Sequence, residues 1–211
     1  MAKRHGEDVV GCRRFRGTGI RMADIAALLA RLPDSLLGIR DRALLLVGFA
    51  GAFRRFELVA LNVEDLEFTK EGLKVLIRCS KTDQEGEGQP IGIAHGMNLC
   101  PVKALDAWLA AAGITEGPVF RSVTRGGKIK GRLSDRAVAL AVKRYARAAG
   151  LDAAKYAGHS LRAGFVTQAV INQVPEVTIM KQTRHKSADM LRRYVRETTL
   201  FRDNASARVG L

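Results

Sequence analysis

The amino-acid sequence predicts an α+β fold that is mainly α-helical and contains one small three-stranded antiparallel β-sheet. Apolar residues recur at helical spacing before residue 60 and again after residue 100, whereas the stretch between them has short β-type segments. Hydrophobic residues make up 47% of the 211 residues, which is enough for a well-buried core. We expect one main domain over residues 22–211, preceded by a basic, glycine-rich linker or arm over residues 1–21.

Three helices open the predicted domain. Residues 22–32 carry apolar side chains on one stripe, and Pro33 ends that helix because proline cannot continue the hydrogen-bond ladder. The largely apolar run at 36–52 predicts a buried helix, and residues 54–61 predict a short third helix.

The next stretch has the composition of β-strands. Three short segments are separated by turn-forming residues at 70–72 and 83–88. They are residues 63–68, 73–79 and 89–94. This pattern predicts the antiparallel sheet.

Helices return after residue 100. Pro101 suits the first turn of a helix over 101–112, and Ser134 predicts the N-cap of a helix that ends near residue 149. Between them, residues 121–132 are predicted to form a basic loop. Further helices are predicted over residues 160–171, 175–182 and 187–195.

The formal net charge is +14, and a globular protein this basic usually binds a polyanion, with nucleic acid as the first candidate. Three widely spaced cysteines without a Cys-x-x-Cys pair support neither a disulfide framework nor a zinc ribbon. The longest apolar run, residues 43–53, is too short to span a bilayer, and the first residues do not form a secretory signal. We therefore expect a cytoplasmic protein without a membrane partner or a metal site.

His159 and Arg162 stand three residues apart, so on a helix they share one face. A guanidinium can hold a phosphate through two hydrogen bonds, and an imidazole can donate or shuttle a proton. A surface pair without any ligand would have the same spacing. The Gly-His-Ser sequence here does not form the nucleophile elbow of a hydrolase, because that motif needs glycine at position 162.

Five further residues are candidates for chemistry. Arg54 follows a buried helix, and Glu57 is its expected partner in either a structural salt bridge or a functional site. Lys81 lies in a predicted turn between strands, where it either reaches into a groove or stays in water. His185 precedes a helix that ends near Tyr194, whose phenol is a packing group unless nearby cations or a base make it a nucleophile.

In this order, these residues resemble the tyrosine recombinases, the family of phage integrases. The family pattern is an arginine in a Leu/Phe-Arg-x-x-Glu-Leu setting, a lysine on a β-turn, His-x-x-Arg, and a histidine nine residues before a tyrosine. The matching positions are Arg54, Lys81, His159, Arg162, His185 and Tyr194. The resemblance extends from about residue 22 to the end and implies the family's catalytic-domain architecture.

The resemblance implies a site-specific recombinase or integrase of a phage or mobile element that cuts and rejoins double-stranded DNA. Tyr194 would attack a phosphodiester, form a 3′-phosphotyrosyl link and release a 5′-hydroxyl. Because the link conserves the bond energy, ATP, metal ions and other cofactors are not implied. Residues 197–211 resemble the family's C-terminal tail, which packs on a neighbouring protomer, so a homo-oligomer on DNA is implied.

The resemblance also implies a role for each of the other five positions. Arg54 and Arg162 would hold the non-bridging oxygens as negative charge develops on them. Lys81 would protonate the leaving 5′-oxygen. His159 would manage the proton of the tyrosine, and His185 would donate to a non-bridging oxygen.

Other basic residues are expected to contact the phosphate backbone of the DNA. They lie in the 121–132 segment and on one side of the helix that follows Ser134. They are Arg121, Arg125, Lys128, Lys130, Arg132, Arg136, Lys143 and Arg147. A solvated basic face is the alternative interpretation of the same pattern.

The sequence departs from the family pattern in three places. Phe56 stands where a small polar residue is usual. Arg184 stands where a glycine usually precedes the histidine, and it would either crowd the site or add a phosphate contact. Full-length members also carry an N-terminal DNA-binding domain, whereas we expect only the linker or arm over residues 1–21 before the catalytic domain here.

Three alternative functions stay open on the sequence. One is a truncated, catalytically weak DNA-binding remnant of an integrase, and another is a type IB topoisomerase-like activity. The third is an RNA-binding protein, although no aromatic stacking motif is visible.

Overall fold

The computed structural model describes residues 19–78, 88–185 and 187–189, together with Leu191, Ser206 and Val209. Helices in this part of the chain are Met22–Leu29 (α1), Leu36–Ala50 (α2), Arg55–Ala60 (α3), Pro101–Ala112 (α4), Asp135–Ala148 (α5), Ser160–Ile171 (α6) and Glu176–Thr183 (α7). Strands are Leu66–Phe68 (β1), Gly72–Ile77 (β2), Gln89–Ala94 (β3), Arg121–Val123 (β4) and Ile129–Arg132 (β5). This order of helices, sheet and helices confirms the predicted α+β fold.

The three-stranded sheet is antiparallel throughout, with β2 between β1 and β3. The prediction of a strand over residues 63–68 was partly wrong, because Val63–Asp65 forms a 3-10 turn before β1. The cause is local hydrogen bonding: the Asp65 carboxylate accepts from the backbone N–H of Asn62 at 2.9 Å and closes the turn.

The basic segment 121–132 is a two-stranded hairpin rather than the predicted loop. Arg121 pairs with Arg132 and Val123 pairs with Ile129. Gly127 at the tip has φ of 77°, a conformation that glycine adopts without a steric penalty. Gly126 and Gly127 therefore lie in the turn of a hairpin.

Helix α2 forms the centre of the core, as its apolar sequence predicts. Helix α4 packs against it and buries Trp108, whose indole N–H donates to the carbonyl of Val119 at 2.8 Å. Helix α5 is fastened to α2 by the Tyr145 hydroxyl, which donates to the buried Asp41 carboxylate at 2.7 Å. None of the described helices is long and apolar enough to cross a bilayer.

Gly48 brings two other helices close to α2. A Cβ atom at this position would lie 2.9 Å from side-chain carbons of both Leu161 in α6 and Leu58 in α3. The absence of a side chain at Gly48 therefore lets α3 and α6 approach the same end of α2. This close packing sets the positions of the polar residues that these two helices carry.

The chain before α1 packs against α6. Ile20 is fully buried, and its backbone N–H donates to the carbonyl of Ser160 at 3.1 Å. A Cβ atom at Gly164 would lie 2.0 Å from the carbonyl oxygen of Ile20, so only glycine permits this contact. Of the arm predicted over residues 1–21, the structure describes residues 19–21, and these include a core residue.

A second apolar cluster joins α6, α7 and the segment that follows α7. Its buried members are Val166, Ala169, Val170, Ile179 and Leu191. Leu191, which lies three residues before Tyr194 along the chain, is the last member of this cluster.

Candidate active site

The turn between α2 and α3 forms the floor of the candidate site. Ala52 has φ of 46°, a left-handed conformation that is strained for a residue with a Cβ atom. Phe53 follows it and is buried, with its backbone N–H donating to the carbonyl of Gly48 at 3.2 Å. The carbonyls of Gly51 and Ala52 are thereby left to accept hydrogen bonds from side chains of other elements.

Glu57 is the acidic centre of the site, and its side chain is fully buried. One oxygen, Oε1, accepts from Arg54 Nη1 at 2.6 Å. The other, Oε2, accepts from the backbone N–H of Arg54 at 2.8 Å and from Arg184 Nη2 at 2.7 Å. The expected partnership of Arg54 with Glu57 is present in the structure, and a second arginine shares the same carboxylate.

Arg162 reaches this floor from α6. It is buried, and its Nη1 donates to the carbonyl of Ala52 at 2.8 Å. His159 occupies the N-cap position of α6, three residues before Arg162, and its side chain is exposed. The predicted pair therefore begins at the residue directly before α6, where the His159 side chain is open to solvent.

Arg184 ends α7 in a left-handed conformation, with φ of 58°. Its guanidinium points into the protein and is only 2% exposed. Besides Glu57 it contacts the carbonyls of Gly51, Ala52 and Gln182 at 3.2, 3.2 and 2.9 Å. Its guanidinium carbon lies 5.6 Å from the centre of the Phe53 ring, within the range of a cation–π contact.

This arrangement differs from both alternatives suggested by the sequence for Arg184. The side chain turns inward and pairs with the acidic residue beneath the site, so it neither fills the open part of the site nor offers its guanidinium to a phosphate. The sequence could not have revealed this, because the partner carboxylate lies 127 residues away along the chain.

His185 lies directly beside this group of arginines. Its Nδ1 is 3.0 Å from Thr183 Oγ1, and that hydroxyl donates to the carbonyl of Ile179 at 2.7 Å. Because the hydroxyl proton is used there, the ring nitrogen is the donor and Thr183 the acceptor. Burial, followed by the charges of Arg162, Arg54 and Arg184, lowers the pKa of His185 to about 4.

The site carries more positive than negative charge. Two guanidiniums, those of Arg54 and Arg184, contact the one carboxylate, and a third, that of Arg162, donates to the neighbouring Ala52 carbonyl. Both histidines favour their neutral forms. Burial and the charges of Arg55, Arg162 and Arg54 lower the pKa of His159. Such an excess of cationic donors, partly open at Arg54 with 23% of its side chain exposed, suits an anion such as a phosphodiester.

Of the six family positions, the structure brings four together: Arg54, His159, Arg162 and His185. Lys81 and Tyr194 lie outside the described residues, in the connection between β2 and β3 and after Leu191 respectively. Phe56, which departs from the family pattern, is half-buried in α3.

The basic residues expected to contact DNA form two groups. Arg125, Lys128 and Lys130 are exposed on the β4–β5 hairpin, and Arg136 and Arg147 are exposed on α5, with Lys143 half-buried between them.

The remaining two basic residues have partners within the protein. Arg121 donates to the carbonyls of Pro118 and Glu116 at 3.0 and 2.6 Å. Arg132 donates to the carbonyl of Val59 at 2.7 Å and to Asn62 Oδ1 at 2.6 Å. The contacts of Arg132 attach the hairpin to α3 and to the turn before β1.

The α5 surface is continuous with the site through α3. Arg55 Nε lies 3.0 Å from a carboxylate oxygen of Asp135, the first residue of α5. Arg136, the residue after Asp135, is therefore close to α3. Within the described ranges, no three His, Cys, Asp or Glu side chains are grouped so that they could hold a metal ion.

Comparison with known proteins agrees with this geometry. The family model described as "Phage integrase family" matches residues 19–200. The "Integrase/recombinase xerD homolog" of Selenomonas ruminantium is 46% identical over 207 residues, which covers 93% of this chain and 61% of that protein.

Two crystal structures have the same fold at low sequence identity. XerH site-specific recombinase bound to palindromic difH substrate, a post-cleavage complex, gives a TM-score of 0.71 at 17% identity, covering 90% of this chain and 52% of the other. A lambda integrase dimer bound to a COC' core site gives a TM-score of 0.63 at 17% identity, and the match covers 85% of this chain and 48% of the other. The chain thus spans about half to three-fifths of the length of these proteins. From its sequence match and its fold, the chain belongs to the phage integrase family.

Proposed function

We propose that this chain is the catalytic domain of a tyrosine-type site-specific recombinase, formed by residues 22–211 together with the packed residues 19–21 that precede them. The observation that carries the proposal is the convergence of Arg54, Arg162, His159 and His185 on one strained turn with an excess of positive charge. Family membership and the DNA substrates named for its structural neighbours support the same conclusion.

The proposed reaction exchanges one phosphoester for another. The phenol oxygen of Tyr194 forms a bond to the phosphorus, the bond from phosphorus to the 5′-oxygen breaks, and Lys81 gives that oxygen a proton. His159 receives the tyrosine proton, for which its neutral form is suited. The partly open guanidinium of Arg54 and the buried guanidinium of Arg162 stabilise the five-coordinate transition state, each by several kcal/mol, about 10²–10³ in rate.

His185 changes its charge state in this scheme. A neutral ring that donates through Nδ1 has no proton on Nε2 and cannot donate to a phosphate oxygen. A bound phosphodiester brings a negative charge that offsets the arginines and raises the pKa of His185. We therefore propose that His185 takes up a proton as DNA binds, and then donates to a non-bridging oxygen.

The proposed partner is double-stranded DNA, and the proposed location of the protein is the nucleoid in the cytoplasm. The hairpin group Arg125, Lys128 and Lys130 and the α5 group Arg136, Lys143 and Arg147 lie on elements attached to α3, so they extend the positive surface of the site. Arg121 and Arg132 have hydrogen-bond partners in the protein and are weaker candidates for phosphate contacts. Raising the salt concentration should weaken binding steeply.

The chain offers a matched set of variants to test the nucleophile. It has three tyrosines, at positions 145, 156 and 194. Each is changed to phenylalanine, and the purified proteins are incubated with a nicked suicide substrate and separated on a denaturing gel. We expect a covalent protein–DNA adduct from the wild type, Tyr145→Phe and Tyr156→Phe, and none from Tyr194→Phe.

Other outcomes would select other functions. DNA binding without any adduct on all substrates would favour the truncated remnant. Relaxation of supercoiled plasmid without a recombinant product would favour a type IB topoisomerase. An adduct that persists in Tyr194→Phe would show that the nucleophile is misassigned.

We also propose that the tail, residues 197–211, joins protomers on DNA. A groove of about 740 Å³ lies between α2, β3, α6 and α7, and its wall includes the apolar residues Phe49, Ile91, Phe165 and Ile179. It is suited to an apolar segment from a neighbouring protomer. Deleting 197–211 should leave binding to a single site intact and abolish the larger complex on DNA with two sites. An unchanged larger complex would rule out this role.

A further inference from the structure

We propose that Arg184 is a positioning residue for DNA cleavage, one that holds Arg54, Arg162 and His185 in place through the Glu57 carboxylate and the carbonyl of Ala52. This inference rests on the proposed function. Arg184 itself is too deeply buried to contact a phosphate, so its effect must pass through its neighbours.

The first observation is that Arg184 and the two candidate phosphate-binding arginines share acceptors. Arg184 and Arg54 both donate to Glu57, and Arg184 and Arg162 both donate to the carbonyl of Ala52. The Glu57 carboxylate and the Ala52 carbonyl therefore link three guanidiniums, which lie at the N-terminus of α3, on α6 and at the end of α7. A change in the position of the Arg184 guanidinium therefore changes the hydrogen bonds available to both of the others.

The second observation is the backbone conformation at Arg184. At φ of 58° an arginine is strained, whereas a glycine would not be. The contacts of the side chain hold the residue in this conformation, because four hydrogen bonds and the Phe53 ring surround it. The same left-handed turn directs the following residue, His185, toward the arginines.

The third observation concerns charge. With Arg184 present, the negative charge of Glu57 is divided between two guanidiniums, so Arg54 keeps more of its positive charge for a phosphate. Without Arg184, the carboxylate would pair with Arg54 alone and compete with the phosphate for it. His185 would lose one of the three cations that disfavour its protonated form.

Three substitutions of Arg184 separate these contributions. Arg184→Met removes the charge and keeps much of the bulk. Arg184→Gly removes the side chain and relieves the backbone strain, and Arg184→Lys keeps the charge but cannot reproduce the planar fork of hydrogen bonds. The matched control is Arg40→Met, which removes another buried arginine with a carboxylate partner, Asp41, near the opposite end of α2.

Single-turnover cleavage of the suicide substrate is the first measurement, made below the unfolding temperature of every variant. We expect Arg184→Met and Arg184→Gly to cleave about 10- to 100-fold more slowly than the wild type, because small displacements of phosphate-binding groups have effects of this size. Arg184→Lys should cleave about tenfold faster than Arg184→Met. Affinity for DNA should change by less than about threefold, since Arg184 does not reach the surface. Arg40→Met should cleave at the wild-type rate.

The titration of His185, followed by NMR of the imidazole, is a second measurement that does not depend on activity. The resonance is assigned by its loss in His185→Asn. We expect the midpoint to rise in Arg184→Met, to rise less in Arg184→Lys, and to stay unchanged in Arg40→Met.

The two measurements distinguish failure of this inference from failure of the proposed function. A wild-type protein that forms no adduct would count against the proposed function, while an altered His185 midpoint would still support a positioning role for Arg184. An unaltered midpoint in Arg184→Met would overturn that role whether or not the protein cleaves DNA. Cleavage by Arg184→Met within about twofold of the wild-type rate would also overturn it.

Discussion

Replacing Glu57 with glutamine tests the charge balance of the site directly. The substitution keeps the size and shape of the side chain but removes its negative charge and one of its two acceptor oxygens. The amide NH₂ group would then face at least one of the guanidiniums that now donate to Glu57, Arg54 or Arg184, and donor would meet donor. Arg54 and Arg184 would lose the one carboxylate that they share.

The size of the effect follows from the burial of these groups. Removing one partner from a buried ion pair typically costs about 3–5 kcal/mol. Arg54 keeps 23% of its side chain exposed and can be partly solvated, so we expect the lower end, about 3 kcal/mol. For a protein of this size, 1 kcal/mol corresponds to about 2–4 °C in Tm, which gives a decrease of about 6–12 °C.

Thermal unfolding followed by circular dichroism measures this decrease, and the chain provides a matched control. Glu67 pairs with Lys74 at 2.8 Å, but both side chains are mostly exposed, so Glu67→Gln should change the stability by less than about 1 kcal/mol. If the Tm of Glu57→Gln lies within about 2 °C of that of Glu67→Gln, the carboxylate does not balance the arginines as described.

Three further predictions concern stability. The pKa of His185 is lowered to about 4 in the folded protein, so the unfolded chain binds a proton at this residue first as the pH falls below 6.5. Between pH 6.5 and 4, the free energy of unfolding of the wild type should therefore fall by about 1–2 kcal/mol more than that of His185→Asn, as measured by urea unfolding. Equal losses in both proteins would contradict this. Gly164→Ala places a Cβ atom against the carbonyl of Ile20 and should cost about 1–3 kcal/mol in thermal unfolding, whereas Gly131→Ala, with open space around it, should have little effect. Arg132→Met should cost about 1–2 kcal/mol because the hairpin loses its hydrogen bonds to the carbonyl of Val59 in α3 and to Asn62 in the turn before β1. Unchanged stability, together with a decrease of about one in the slope of log binding constant against log salt concentration, would instead identify a phosphate contact.

The features that the sequence predicted well depend on local spacing. The helix bounds of α4 and α6 match the prediction, since Pro101 marks the start of one and the other has a regular apolar pattern. Arg54 and Glu57 are three residues apart and meet within one helical turn, as expected.

The features that it missed depend on contacts between distant segments. Residues 121–132 form a hairpin because Arg132 and the backbone of β5 find partners near α3, which periodicity does not reveal. The burial of Arg184 likewise depends on a carboxylate from another element. Lys81 and Tyr194 stay predictions from the sequence pattern and the family resemblance, and the adduct assay addresses the second of them.

The contact of Ile20 with Gly164 determines where this domain can be joined to another protein. Ile20 contributes a core side chain and a backbone hydrogen bond to Ser160 at the start of α6, the helix that presents His159 and Arg162. A fusion whose junction lies before Gly19 keeps both interactions, while one that replaces Ile20 removes the segment against which α6 is packed. When this domain is fused to a foreign module, the segment at Gly19 and Ile20 therefore belongs with the domain.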